Sequence, residues 1–228
     1  CGEAPRMNSA RPAAVLFDLD GTLLDSAPDL GAAADSLRTC RGLSNLPLEH
    51  YRPAAGAGAR GLLKVAFGIE QDHPDFACLR DEFFSAYESR QTVNTRPFDG
   101  IMEVLHALQR HGTPWGVVTN KARRFAEPLI RSFPGFDGLS VLVCGDTTPY
   151  SKPHPAPLLE AARVLGTPAE ACWYVGDDLR DMQAAAAAGM YGGAAAYGYV
   201  RNPNDTQHWP TKKRIELPTD LLKLLSIA

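Results

Sequence analysis

The amino-acid sequence predicts an α/β fold in which a parallel sheet lies between two layers of helices, with a small helical module inserted near the start. Two observations carry this prediction. From residue 97 onwards, short apolar runs alternate with amphipathic helical patterns, which is typical of a parallel sheet with helices on both faces. Residues 26–96 break the alternation, because they hold helical patterns and no convincing strand.

The predicted strands are short and apolar throughout. The first, residues 13–17, reads Ala-Ala-Val-Leu-Phe and ends at Asp18. Three later runs carry valine or aromatic residues and also end in a polar or glycine turn: residues 115–119, 141–144 and 172–175. Residues 192–196 form a fifth, glycine-rich candidate. Such runs are expected for strands that are buried on both faces of a sheet.

The predicted helices follow from the spacing of apolar residues. In residues 100–111, Ile101, Val104, Leu105 and Leu108 lie at the i, i+3, i+4, i+7 spacing of one helical face. Residues 155–165 repeat this stripe, and the inserted module has its own helical patterns over residues 30–39, 60–67 and 76–87. We therefore expect a core of residues 11–25 and 97–228, and a helical module of residues 26–96.

Composition excludes several classes of function. The chain has 228 residues, 45% hydrophobic and 21% charged, with a formal net charge of -3, so no basic field attracts nucleic acid or an anionic membrane. No apolar run approaches the roughly 18 residues that a membrane span needs. The five cysteines are odd in number and scattered, which argues against disulfides and zinc and favours a reducing, cytoplasmic location. We expect residues 1–10 to be a disordered leader and the basic run 212–214 to be solvated.

The first chemical motif is Asp18-Leu19-Asp20-Gly21-Thr22, directly after a predicted buried strand. One ionised carboxylate can attack phosphorus, while the other protonates the leaving oxygen and then deprotonates water. The alternative interpretation is an acidic turn in which Gly21 supplies the conformation.

Two further motifs follow the next predicted strands. In Thr119-Asn120-Lys121, a hydroxyl and backbone N–H groups suit phosphate oxygens, although an ordinary helix N-cap explains them equally. In the segment 151–155, two prolines hold Lys152 in a constrained loop, where it can neutralise negative charge. The alternative for Lys152 is a solvated surface lysine.

The fourth motif, residues 176–181, reads Gly-Asp-Asp-Leu-Arg-Asp. Asp177 is the best candidate ligand for Mg²⁺, which prefers hard oxygen donors. Asp178 and Asp181 are expected to support it from behind, and capping of the next helix is the alternative role for this acidic cluster. Four polar clusters that each end a predicted parallel strand are hard to explain as coincidences, because those ends meet at one edge of the sheet.

These four motifs, DLDGT, VVTNK, SKPHP and GDDLRD, resemble those of the haloacid dehalogenase-like superfamily, in the same order and over nearly the whole chain from residue 13. The resemblance implies a Rossmann-like core with a small helical cap, here residues 26–96. It also implies Asp18 as nucleophile, Asp20 as general acid/base, Thr119 and the Asn120 backbone as phosphate donors, and Lys152 as charge stabiliser. Mg²⁺ would be held by the Asp18 carboxylate, the Asp20 main-chain carbonyl and Asp177.

The resemblance narrows to the phosphoglycolate phosphatase branch through residues 18–26, 56–60 and 188–190. Residues 96–100, 115–121 and 124–128 are similar to N-acetylmuramic acid 6-phosphate phosphatases. The implied partner is a small phosphorylated metabolite, either 2-phosphoglycolate or N-acetylmuramic acid 6-phosphate. Arg60, which opens a predicted cap helix beside flexible glycines, is the candidate for binding its carboxylate or sugar.

Four other functions are alternatives to a phosphatase, and each makes its own demand on these motifs. A haloacid dehalogenase needs no acid at the Asp20 position, and a phosphonate-cleaving enzyme would replace Asp20 and use a cap lysine, for which Lys64 is available. A sugar-phosphate mutase would keep all four motifs. A non-catalytic binding protein would be expected to lose the nucleophile or a metal ligand, and both are present. The sequence is compatible with a monomer or a homodimer.

Overall fold

The computed structural model describes residues 11–200 and 205–227, and the expected leader, residues 1–10, lies outside them. The strands of the described part are β1 (Ala14–Phe17), β2 (Leu24–Asp25), β3 (Arg96–Pro97), β4 (Trp115–Val118), β5 (Val141–Val143), β6 (Cys172–Gly176), β7 (Tyr191–Ala195) and β8 (Lys213–Ile215). The helices are α1 (Ala27–Thr39), α2 (Leu48–Tyr51), α3 (Gly58–Phe67), α4 (Phe76–Glu88), α5 (Ile101–Arg110), α6 (Arg123–Arg131), α7 (Ala156–Leu165), α8 (Leu179–Ala188) and α9 (Asp220–Leu224).

Within the described residues, the main sheet is parallel and has the strand order β5-β4-β1-β6-β7-β8. The predicted α/β fold is confirmed, and each of the five predicted runs forms a strand of this sheet. The edge strand β8 is not expected from the sequence, which predicts a solvated basic run there. It begins with the exposed Lys213 and ends with the buried Ile215, so charges stand on an edge where they discourage further pairing.

The core lies on both faces of the sheet. Val15 and Phe17 of β1 face the apolar stripe of α5, whereas Ala14 and Leu16 face α7 and α8. All four are fully buried, as the period of two along a strand requires. Burying each large apolar side chain contributes about 1.5–3 kcal/mol to folding, so this packing holds the strands in place in the sheet.

The cap consists of α1 to α4 and a 3₁₀ turn, Arg52–Ala57, and it is inserted between β2 and β3. It has a separate apolar cluster that includes Leu62, Leu63 and Phe83. Two core residues, Phe125 and Tyr199, join this cluster and so connect the cap to the core. The boundaries 26–96 stay a prediction. None of the described helices is long and apolar enough to cross a bilayer.

Asp29 ties together the two ends of the cap. This fully buried residue of α1 accepts hydrogen bonds from the backbone N–H groups of Asn94 and Thr95, at 2.9 and 2.8 Å, and from the Thr95 hydroxyl at 2.9 Å. Asn94 and Thr95 directly precede β3, where the chain returns to the core. One carboxylate therefore holds the entry and the exit of the insertion side by side.

We expect Asp29→Asn to lower the free energy of unfolding by about 2–4 kcal/mol, because the amide removes the charge and directs an N–H at the Thr95 donors. Urea unfolding followed by circular dichroism measures this loss. Asp72→Asn, in an exposed loop, is the matched control and should change stability by less than about 0.5 kcal/mol. Equal stability of the two variants would contradict the role of Asp29.

Candidate active site

Polar side chains from four strand ends meet at one edge of the sheet. Asp18 follows β1, Thr119 follows β4, and Asp177 follows β6, while Lys152 comes from the loop between β5 and α7. They line one cavity of about 260 Å³. Four more of the residues that the sequence predicts for the site also line this cavity: Asp20, Asn120, Asp178 and Asp181. Arg60 is exposed and lies outside this lining, and its role in binding stays a prediction.

Lys152 lies between two carboxylates. Its Nζ is 2.9 Å from Asp18 Oδ1 and 2.7 Å from Asp181 Oδ1, and its side chain is only 3% exposed. The ammonium also donates to Val118 O at 3.0 Å and to the Tyr174 hydroxyl at 2.7 Å. Asp18 Oδ1 forms this ion pair but accepts no hydrogen bond of good geometry from any described residue. The Asp18 carboxylate, 14% exposed, therefore lines the cavity while one of its oxygens is buried against the Lys152 ammonium.

Tyr174 holds the Lys152 ammonium in place from behind. It is fully buried in β6, and its hydroxyl lies 2.9 Å from Val118 O and 3.1 Å from Asp181 Oδ1. Accepting from Lys152 while donating to one of these oxygens satisfies the hydroxyl. Burial, followed by the charge of Asp181, raises the pKa of Tyr174 well above its ordinary value, so the phenol stays neutral.

Asp177 is a buried carboxylate that forms no ion pair with a lysine or arginine among the described residues. Its oxygens accept from the Thr22 hydroxyl and the Tyr199 N–H, both at 2.9 Å. Gly21 adopts φ +86°, and a Cβ there would lie 2.1 Å from Asp177 Oδ2, so the first motif requires a glycine at this position. Two separate parts of the chain thus pack tightly around Asp177.

The electrostatics of this cluster favour a cation. Burial is the largest cause that raises the pKa of Asp18 to about 6, with Lys152 opposing it and Asp181 adding to it. Burial, and then the charges of Asp18 and Asp181, raise the pKa of Asp177 well above its ordinary value. One oxygen from each of the three carboxylates lies within 4.8 Å of the others. This donor set suits a hard divalent ion such as Mg²⁺.

Both oxygens of Asp181 are engaged by neighbouring groups of the core. Its Oδ1 pairs with Lys152, and its Oδ2 accepts from the Asp178 N–H at 3.0 Å. The Asp178 carboxylate in turn caps α8 and pairs with Arg180 at 2.8 Å. Arg180 also donates to Gly56 O of the cap at 2.8 Å. The capping alternative for this motif therefore describes Asp178 and Asp181, and Asp177 takes no part in the capping box of α8.

Asp20 is held by two partners at the rim of the cavity. Its Oδ1 accepts from the Ser26 hydroxyl at 2.5 Å, and its Oδ2 lies 2.9 Å from Lys121 Nζ. Burial lowers the pKa of Lys121, but the Asp20 carboxylate and the Tyr87 hydroxyl raise it above its ordinary value, so Lys121 is charged. This arrangement fixes a carboxylate beside Asp18, where it can exchange a proton with a bound molecule. The main-chain carbonyl of Asp20 as a metal ligand stays a prediction.

The Asn120 side chain joins the second motif to the third. It donates to Lys152 O at 3.0 Å and accepts from Lys152 N at 2.9 Å. The Thr119 hydroxyl accepts from the Lys121 N–H at 3.2 Å, which leaves its own proton for another acceptor. Neither group is used as a simple helix cap, because the N-cap of α6 is Ala122.

Sequence reasoning misses several residues of the site. Tyr174 reads as an ordinary buried strand residue, and its position two residues before Gly176 is the only local signal. Lys121 lies inside a motif, but its spacing indicates no role. Tyr199 is far along the chain, and its hydroxyl accepts from the Ser26 N–H at 2.7 Å.

Comparison with known proteins gives one consistent result. Residues 15–195 match the family model of haloacid dehalogenase-like hydrolases. The chain is 40% identical to an N-acetylmuramic acid 6-phosphate phosphatase of Pseudomonas aeruginosa, over 97% of this chain and 98% of that protein. It is 42% identical to a phosphoglycolate phosphatase of Xylella fastidiosa, over 92% of this chain and 91% of that protein. The crystal structure of a predicted phosphoglycolate phosphatase from Haemophilus somnus has a TM-score of 0.82 at 27% identity and covers 96% of this chain and 99% of its own.

We expect Tyr174→Phe to lower the free energy of unfolding by about 1–3 kcal/mol, because Lys152 and Val118 O each lose a buried partner. Chemical denaturation measures the change. Tyr191→Phe, on the adjacent strand, is the control, since that ring stacks on Trp173 and its hydroxyl has no hydrogen bond among the described residues. If both variants lose the same stability, the Tyr174 hydroxyl does not hold Lys152.

Proposed function

Because the chain belongs to the haloacid dehalogenase-like hydrolase family, we propose that it is a phosphomonoesterase that uses Asp18 as a covalent nucleophile on a small phosphorylated metabolite. One observation carries the proposal. The Asp18 carboxylate, 14% exposed, lines the cavity with one oxygen beside the Lys152 ammonium. A carboxylate in this position can approach an anionic phosphoryl group, since the ammonium reduces the repulsion.

In the first proposed step, an oxygen of Asp18 attacks phosphorus, and the bond between phosphorus and the ester oxygen breaks. Asp20 gives its proton to the departing oxygen, which leaves as an alcohol. The Thr119 hydroxyl and the Asn120 N–H donate to the phosphoryl oxygens, and Lys152 offsets their charge. The product of this step is an aspartyl phosphate.

In the second step, Asp20 acts as the base. It takes a proton from water, and the water oxygen attacks phosphorus. The bond from phosphorus to Asp18 breaks, which restores the carboxylate and releases inorganic phosphate. Asp20 ends protonated, ready for the next leaving group, so protons balance over the cycle.

The carboxylates of Asp18 and Asp177 and the main-chain carbonyl of Asp20 would hold Mg²⁺. When bound, the ion offsets repulsion between the anionic nucleophile and the anionic substrate. The burial of Asp177 without a lysine or arginine partner among the described residues, and the approach of the Asp18, Asp177 and Asp181 carboxylates to within 4.8 Å of one another, support this assignment. Asp181 orients Lys152 and caps α8 instead of binding the ion directly.

The substrate is proposed from the relatives, which are named as phosphatases of N-acetylmuramic acid 6-phosphate and of phosphoglycolate. Both compounds are phosphomonoesters of alcohols that carry a carboxylate. The cap supplies the cavity wall opposite the catalytic residues through Leu30, Phe83, Phe84 and Tyr87. Selection between substrates therefore takes place at the cap.

We expect Asp20→Asn to form the aspartyl phosphate from p-nitrophenyl phosphate and then stall, because p-nitrophenolate leaves without an acid but water lacks its base. Stopped-flow absorbance should show a burst of p-nitrophenolate equal to the enzyme concentration, followed by slow turnover. Alkyl phosphates should lose about 10²–10⁴-fold in rate, the usual contribution of general acid–base catalysis.

Two variants serve as the negative and the neutral control for this experiment. Asp18→Asn should give neither burst nor turnover, because an amide does not attack phosphorus. Asp99→Asn, at an exposed carboxylate outside the cavity, should behave as the wild type. A burst from Asp18→Asn, or equal losses on aryl and alkyl phosphates without a burst from Asp20→Asn, would overturn the mechanism.

A further inference from the structure

The Tyr87 hydroxyl is buried beside the cavity without a well-formed hydrogen bond. Tyr87 lies on α4 of the cap and is 1% exposed. Its ring stacks on Phe83 at 6.2 Å between centroids and contacts Phe125 at 5.6 Å. Within the described residues the hydroxyl makes no hydrogen bond of good geometry, and the Lys121 ammonium interacts with its oxygen, which leaves the hydroxyl proton without an acceptor beside the cavity. Burying an unpaired hydroxyl is unfavourable, so native proteins rarely do so unless another group completes the bond.

Lys121 places a cation next to this hydroxyl. Its Nζ lies 4.8 Å from the centre of the Tyr87 ring and 2.9 Å from Asp20 Oδ2, and its side chain is 9% exposed. Asp20 is its ion-pair partner among the described residues, and an ammonium has three N–H donors. Lys121 therefore lines the cavity with donor capacity to spare.

Tyr87 and Lys121 lie on the side of the cavity where the leaving group of the substrate is expected. In the proposed mechanism Asp20 contacts the ester oxygen, so Lys121 lies beside the part of the substrate that departs. Phe83, Phe84 and Phe125 surround the pair with apolar surface, which strengthens a charged hydrogen bond there. On the substrate, a carboxylate offers two acceptor oxygens and a negative charge. It therefore matches the Tyr87 hydroxyl and the Lys121 ammonium better than a neutral hydroxyl group of a substrate does.

We infer that the Tyr87 hydroxyl and the Lys121 ammonium form a binding subsite for a carboxylate on the leaving alcohol, an inference that rests on the proposed phosphatase function. The subsite selects phosphomonoesters of hydroxy acids over esters of the same size without the acid. It acts on specificity, whereas Asp18 and Asp20 act on the phosphoryl group.

Two matched substrate pairs isolate the carboxylate. 2-Phosphoglycolate and ethyl phosphate differ in having a carboxylate or a methyl group next to the ester carbon. N-acetylmuramic acid 6-phosphate and N-acetylglucosamine 6-phosphate differ in the lactyl ether, which carries a more distant carboxylate. For each pair, the ratio of kcat/KM values measures the discrimination, and the two pairs show which position of the carboxylate the subsite takes.

In at least one pair, we expect the wild type to prefer the acid and Tyr87→Phe to reduce the ratio by about 10- to 100-fold, the effect of one hydrogen bond to a charged group. Lys121→Met should reduce the same ratio, while its effect on Asp20 cancels because it acts on both substrates.

Tyr51→Phe is the control, because Tyr51 is also a buried cap tyrosine, but its hydroxyl donates to Asp35 at 2.7 Å and it lies outside the cavity lining. It should lower Tm and leave both ratios unchanged. Ratios that Tyr87→Phe leaves unchanged in both pairs overturn the subsite. If the wild type releases phosphate without preference for either acid, the subsite fails and the phosphatase function stands; if it releases phosphate from none of the four esters, the proposed function fails.

Discussion

Three carboxylates cluster at the carboxyl edge of the sheet, and one ammonium group pairs with two of them. Lys152 pairs with Asp18 and Asp181, whereas Asp177 has only a hydroxyl and a backbone N–H as donors. Such a cluster is unfavourable by itself, because like charges repel each other strongly where water is excluded. The rest of the fold maintains it: parallel strands bring the three motifs together, Tyr174 fixes the ammonium, and Gly21 lets the first motif approach Asp177.

The cap forms part of the wall of the cavity at this edge, and polar contacts hold it to the core. Arg180 donates to Gly56 O, and Arg52 pairs with Asp25 at 2.7 Å, while Asp29 joins the two ends of the cap itself. Aromatic residues of the cap line the same cavity as Asp18, Lys152 and Asp177. In the proposed mechanism the phosphoryl chemistry uses core residues alone, whereas the walls that meet the rest of the substrate come from both the cap and the core.

The sequence predicts most of this arrangement because two patterns are strong: the short apolar runs of the buried strands and the i, i+3, i+4, i+7 spacing of the amphipathic helices. The buried strands show where the chain reaches the edge of the sheet, so the spacing of apolar residues is enough to place Asp18, Thr119 and Asp177 together. Three features could not be predicted. β8 is short and begins with a lysine, so pairing with β7 rather than local propensity forms it. Tyr174 and Lys121 depend on which side chains meet across the fold, and spacing along the chain does not determine that.

Isothermal titration of the metal-free protein with Mg²⁺ tests the central claim most directly, namely that the carboxylate cluster is balanced by a cation. The wild type should bind one ion and show a Tm that rises with Mg²⁺ concentration, since a ligand of the folded state stabilises it. Asp177→Asn should lose this binding, while Asp99→Asn should retain it. Binding of equal affinity to the wild type and to Asp177→Asn, or no binding to the wild type, would contradict the account.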